Sequence, residues 1–370
     1  MNWKRNLMKI FRPISFEKMI RSTVFWAIVA EAVILLVCAV AAPSFFKIQV
    51  NETTGMLFGV PIDILSRSGE IMIIAMGMTL VIALGGTDLS VGALVAVSGA
   101  LALKFLRWDV LEYPTPGNYT VMPFYLVLLV PLAVCTLMGA FNGFLISKLG
   151  MQPIIATLIL MVAGRGIAQI ATNGKQYTTM YTPFQQIGQG HLFVVPMPIV
   201  IAAVVVAAVA LFTRRTSFGM FVESVGINRS ASRVSGLRSG RIIMIAFMLT
   251  GFLSGISGLI YASRISSCDS NNAGINYELF AILAVVIGGT SMSGGKFSIT
   301  GTVVGSLILQ TIVSAIYYFQ IIPQAIPAIE AMIIAVVIVL QSEPVRKSLG
   351  GVSRRLAARR LEKKGGVAGA

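Results

Sequence analysis

Val81-Ile-Ala-Leu-Gly-Gly-Thr-Asp-Leu-Ser-Val-Gly92 closes one apolar run and opens another across a short polar step. Far downstream, Ala284-Val-Val-Ile-Gly-Gly-Thr-Ser-Met-Ser-Gly-Gly295 repeats the pattern. Glycine pairs do not hold a regular helix well, and hydrocarbon forbids lipid-exposed irregular backbone. Both interruptions must therefore be buried in protein or line a cavity. Paired interruptions in corresponding halves point to a transporter's pathway; the alternative is two glycine-rich hairpins needed only for packing. The reading predicts an all-α polytopic membrane protein with glycine-broken helices and an internal repeat.

Composition agrees. The chain has 370 residues, 56% hydrophobic and 12% charged, with a mean hydropathy of +0.85. A soluble domain carries about twice that share of charge. An ordinary cytosolic enzyme, a disordered chain and a disulfide scaffold are excluded. Cys38, Cys135 and Cys268 have no metal spacing, and His191 stands alone, so neither a metal centre nor a histidine-based catalytic triad has material. No cofactor is expected. The basic N-terminus precedes its first apolar run by too many residues for a removable signal peptide, so that run reads as a retained span.

A spanning helix needs about 20 apolar residues. Segments 24–42, 122–146, 193–212 and 242–263 meet this cleanly, and 62–84, 90–105, 153–171, 277–287, 297–318 and 326–340 more weakly. That gives about ten helices. Of the 29 Lys and Arg, six lie in 1–22, six in 214–241 and eight in 346–364. Short basic segments mark the cytoplasmic side and meet anionic lipid, which explains the +15 charge better than nucleic acid does. Six spans before Arg214 and four after Arg241 keep all three segments on one side. The division is a cytoplasmic N-terminus (1–22), a permease domain (23–341) with a cytoplasmic segment at 214–241, and a cytoplasmic C-terminal tail (342–370). Residues 43–60, 107–121, 173–192 and 264–276 then face outside.

Charges inside the spans are few: Glu31, Glu70, Asp88, Arg165, Glu278 and Glu330. Each costs a few kcal/mol at mid-bilayer unless paired or wet. Asp88 reads either as a cap on the glycine break or as a substrate contact. Arg165, Gln169 and Asn173 follow at helical spacing and could meet a polyhydroxylated ligand, or Arg165 could snorkel to an interface. Asn142 and Glu278 are comparable candidates. The candidate pathway is therefore Gly86, Thr87, Asp88, Ser90, Asn142, Arg165, Gln169, Glu278, Gly289 and Thr290. Gly86 and Gly289 are its equivalent break glycines, either of which could supply a positive φ. Gly251-xxx-Gly255 and Gly301-xxx-Gly305 read as close helix packing.

No nucleotide motif is present. Gly294-Gly295-Lys296 has Thr290 in the first glycine's place and Phe297 where Ser or Thr is required. If transport is active, another subunit must hydrolyse the ATP. Within 214–241, short apolar periods surround Gly226, where a turn is expected. A short amphipathic helix there would dock on a partner or lie on the membrane. The expected coupling residues are Val225, Gly226, Ile227, Asn228, Arg229, Ser232 and Arg233, with Val225 and Ile227 burying against the partner.

Three stretches also resemble a known family. Gly77-Met-Thr-Leu-Val-Ile-Ala-Leu-Gly-Gly-Thr-Asp-Leu-Ser-Val-Gly92 is similar to the signature of permease subunits of bacterial monosaccharide ABC importers. Gly226-Ile-Asn-Arg-Ser-Ala-Ser-Arg-Val-Ser-Gly236 resembles the family's coupling segment, and residues 277–295 its late signature. Residues 57–65 and 151–166 most resemble the galactofuranose branch, although Thr87 replaces the usual isoleucine. The resemblance implies an inner-membrane subunit paired with a second, similar permease chain, a cytoplasmic ABC ATPase and an extracytoplasmic sugar-binding protein. The cargo would be a monosaccharide. An ABC permease for an amino acid or nucleoside, and an ATP-independent secondary transporter, are the rival readings.

Overall fold

The computed structural model describes residues 23–50, 57–106 and 123–320, with isolated positions between 328 and 335. The apolar runs fold as helices because a helix pairs every backbone group within its own segment, as lipid requires. They are α1 (Thr23–Ala41), α2 (Val60–Ala83), α3 (Val91–Leu106), α4 (Phe124–Ser147), α5 (Pro153–Thr172), α6 (Thr182–Gln189) and α7 (Met197–Arg215). The basic segment forms α8 (Phe218–Ile227) and α9 (Arg229–Val234), followed by α10 (Ser239–Arg264), α11 (Tyr277–Ile287) and α12 (Ile299–Tyr318). Among the described residues, 7 helices are long and apolar enough to cross a membrane.

Two expected spans are short. α3 has 16 residues and α11 has 11, about 24 and 16 Å at 1.5 Å per residue. Neither covers a hydrocarbon core of about 30 Å. Each adjoins a glycine break, and both breaks lie at the bundle end where α8 docks, with Gly85 and Gly289 exposed rather than buried as expected. The tenth expected span, 326–340, lies outside the described residues. The expected span at 193–212 starts later, at Met197, because Pro196 and Pro198 cannot continue a helix inward from Phe193.

The helix ends fall into two groups. At one end Gly226 and Gly295 close on Ala83, Gly240 on Ser147, and Gly86 on Pro153. At the other, the Tyr318 hydroxyl lies 2.7 Å from Ser44 Oγ, and the Phe124 and Tyr181 rings are 5.6 Å apart. Strand β3 (Tyr177–Thr178) pairs antiparallel with β6 (Ser267–Cys268) at this second end. Successive long helices therefore run in alternate directions.

α2 is the centre of the bundle: 83% of its most apolar window is buried, against 22% for α7 and 11% for α1. Small residues let the central helices touch. A Cβ on Gly139 of α4 would lie 3.1 Å from Gly251 Cα of α10, and Gly305 and Gly301 sit against Ala284 and Gly288 of α11. Both small-residue pairs thus pack helices, as their spacing suggests.

Candidate translocation and coupling site

Each interruption closes a helix with the same device. Gly85 N–H donates to Ile82 and Gly86 N–H to the Val81 carbonyl, while Gly289 N–H donates to Val286 and Thr290 N–H to Val285. This is the Schellman pattern, which needs a left-handed residue just past the helix. That residue is Gly85 (φ 77°) in the first break and Gly289 (φ 90°) in the second. The sequence pairing of Gly86 with Gly289 is therefore off by one: Gly85 and Gly289 are the geometric equivalents. Gly86 needs no positive φ, and a Cβ there would meet Pro153 at an ordinary 3.4 Å.

Past the first break, the chain caps α3. Ser90 N–H and Ser90 Oγ donate to Asp88 Oδ1 at 2.9 and 2.6 Å, and Asn142 Nδ2 donates to Ser90 Oγ at 3.0 Å. Asp88 thus sits at the positive end of a helix dipole, where a carboxylate is favoured. Gly92, in the first turn of α3, packs on Glu278 of α11, and Ala93 packs on Gly164 of α5, beside Arg165. Arg165 donates to the Ala273 carbonyl, and Gln169 Nε2 to Asn271 Oδ1 at 2.7 Å. Three helices, α4, α5 and α11, thus gather polar groups around the start of α3. Asp88 Oδ2, Asn142 Oδ1 and Glu278 Oε2 are buried there with no hydrogen-bond partner among the described residues. Asn173, expected to extend the Arg165 face, is instead the left-handed C-cap of α5. Thr87 is half-buried in the break, and Thr290 accepts the Ser298 N–H at 3.3 Å beside the α12 N-cap.

The segment expected to couple, α8 and α9, meets both breaks. A Cβ on Gly226 would collide with the Ala83 carbonyl and stand 2.7 Å from Gly295 N, and Gly295 N–H itself donates to Ala83 O at 2.8 Å. Gly226 lies inside α8 rather than at a turn. The turn falls at Asn228, whose side chain caps α9 by accepting the Ala231 N–H at 2.9 Å. Ser232 Oγ ties α9 back to the Ser224 carbonyl at 2.9 Å. Val225 is 3% exposed and packs with Leu80, Val81 and Phe247, so it is not open to a partner; Ile227, at 71%, is. The Arg229 guanidinium is held below its usual pKa by burial and by the neighbouring charge of Arg233.

One network escaped the sequence reading. Glu70, 1% exposed on α2, accepts Arg264 Nε at 2.6 Å and the Tyr277 hydroxyl at 2.6 Å. Ser257 Oγ donates to the Glu70 carbonyl at 3.0 Å. α10 and α11 are thereby pinned to α2 about 20 Å from Ala83 at 1.5 Å per residue. The one available signal was the high cost of an unpaired Glu70 inside an apolar run, which demands a base without saying which.

Residues 60–341 match the family described as Branched-chain amino acid transport system / permease component. The chain belongs to this permease family. The permease is 41% identical to the galactofuranose transporter permease protein YtfT of Escherichia coli over 89% of this chain and 92% of that one. It is 36% identical to the fructose import permease protein FruF of Bifidobacterium longum over 92% and 94%. With the ribose import permease protein RbsC of Haemophilus influenzae the figures are 34%, over 82% and 90%. No solved structure matches the permease. It is a multi-pass protein of the bacterial cytoplasmic membrane and a transport subunit.

Proposed function

We propose that the permease carries a monosaccharide inward as the membrane subunit of an ATP-driven ABC importer, without chemical change to its cargo. The observation that carries this reading is the wedge of α8 between the two breaks. Gly226 is in backbone contact with Ala83 and Gly295, so a push on the 218–234 segment reaches both breaks directly. A chain without a nucleotide motif needs such an external drive. The galactofuranose, fructose and ribose cargoes named for its relatives support a sugar, and the YtfT likeness favours a galactofuranose-like one.

The polar groups around α3 suit that cargo. Sugar hydroxyls are donors as well as acceptors, and the buried oxygens of Asp88, Asn142 and Glu278 are acceptors without partners. Weak, multiple contacts of this kind let a solute leave as well as enter. Gly86, Thr87, Ser90, Arg165, Gln169, Gly289 and Thr290 shape the same passage. In this reading ten spans put 1–22, 214–241 and the C-terminal tail in the cytoplasm. A second, similar permease chain completes the pore, the ATPase docks on α8 and α9, and a sugar-binding protein docks on the opposite end. The family's description supports a second cargo, a branched-chain amino acid.

The test is uptake of radiolabelled galactofuranose, ribose, fructose and leucine by cells lacking this permease and by cells complemented with it. The proposal predicts one lost and restored sugar with leucine unaffected. Loss of leucine uptake alone would replace the sugar by the amino acid.

A further inference from the structure

Between α6 and α7 the chain makes a two-stranded ribbon, β4 (His191–Leu192) and β5 (Val195–Pro196), joined by Phe193 and Val194. Phe193 lies in the left-handed region at φ 57°. Glycine or asparagine occupies such a turn position without strain, and a bulky residue there is uncommon. The sequence nevertheless places an aromatic ring at the tip, 94% exposed, with Leu192, Val194 and Val195 each about half exposed beside it. Four consecutive apolar side chains with no charge among them are thus presented outward.

The ribbon continues an apolar helix surface that the chain's own helices leave uncovered. Only one residue, Met197, separates Pro196 from Pro198 at the base of α7, the helix that buries 22% of its apolar window. From Met197 to Thr213 the apolar part of α7 rises about 26 Å, short of a hydrocarbon core of about 30 Å. An apolar tip at its start supplies the missing depth. The arrangement recurs at the same end of the bundle. α1, 11% buried, leads into the ribbon of β1 (Gln49–Val50) and β2 (Leu57–Phe58), where Ile48, Val50 and Phe58 are exposed. Both peripheral helices carry a ribbon with exposed apolar side chains, interleaved with exposed Lys47 and Gln49 in the first and uninterrupted in the second, whereas the ends of central α10 and α11 meet in the polar stretch of Ser270, Asn271 and Asn272.

We propose that the Leu192–Val195 tip is a bilayer anchor, with Phe193 seated in the boundary between headgroups and acyl chains. Phe and Leu form the apolar side of segments that sink into that boundary, and four apolar side chains with no cation fit lipid tails better than a charged surface. The anchor fixes the entry angle of α7 and thereby the height of the coupling segment that follows it.

The experiment places a tryptophan at the tip. In a background with Trp3, Trp26 and Trp108 changed to Phe, Phe193→Trp is reconstituted in phosphatidylcholine vesicles with and without 6,7-dibromo chains. The proposal predicts blue-shifted emission that is quenched by the brominated lipid and resists aqueous acrylamide. Ser230→Trp, on an exposed site of α9, should behave oppositely. Emission quenched by acrylamide and indifferent to bromine would overturn the proposal. So would shielding that appears only when a binding protein is added, which makes the tip a protein dock, or shielding from both quenchers, which buries it against a second permease chain.

Discussion

Gly226 and Ala83 meet backbone to backbone, with no room for a β-carbon between α8 and the carbonyl that ends α2. The Gly295 N–H donates to that same carbonyl at 2.8 Å. The first break, the second break and the coupling segment therefore share one oxygen atom.

Gly226→Ala should separate the three. Its methyl group would have to displace main chain, not a flexible side chain, and overpacking of this kind costs about 1–3 kcal/mol. Uptake should fall sharply. Gly166→Ala, where a Cβ has open space, should stay close to wild type, within about 0.5 kcal/mol in stability. Uptake assays paired with melting of the purified protein check both.

The breaks give a second test. Ala at Gly85 would be forced to φ 77°, a conformation costing an L-residue about 1–2 kcal/mol. Gly86→Ala pays no such strain. A lower melting temperature for Gly85→Ala than for Gly86→Ala is expected; equal values would mean that the left-handed residue has been misassigned. This off-by-one shows what the sequence could carry. It showed where helices must stop, because glycine pairs and Asp88 are local signals. It could not show which glycine turns left, because the second Schellman turn begins one residue later than its sequence counterpart.

Glu70 and Arg264 give a third. Removing one partner leaves a buried charge uncompensated, costing roughly 3–5 kcal/mol, whereas replacing both by apolar residues is often far milder. Arg264→Met should therefore destabilise more than Glu70→Met combined with Arg264→Met. Thermal melts of the single and double variants decide it. The pair is 194 positions apart in the chain, so no spacing rule connects its members. Helical periodicity likewise located the coupling segment but assigned Val225 to the partner side, because a helix packed against its own core and one packed against another protein show the same apolar stripe.

The exposed side of that segment predicts the docking surface. Ile227 and Val234 face outward. Ile227→Asp with Val234→Asp should leave a folded permease that no longer co-purifies its ATPase. Burying a side chain of that size is worth roughly 1.5–3 kcal/mol, so affinity should fall by about tenfold or more. Val225→Asp should instead unfold the end of the bundle, because its side chain lies in the permease's own core.

The central claim is that transport is driven from outside the chain through α8 and α9. The most direct measurement is sugar uptake by proteoliposomes containing the permease, its second permease chain and the binding protein, with and without the ATPase and ATP. Uptake that requires both ATPase and ATP, and that Gly226→Ala abolishes while the ATPase stays bound, is the predicted result. Uptake of the same sugar at an undiminished rate with no ATPase present would contradict it.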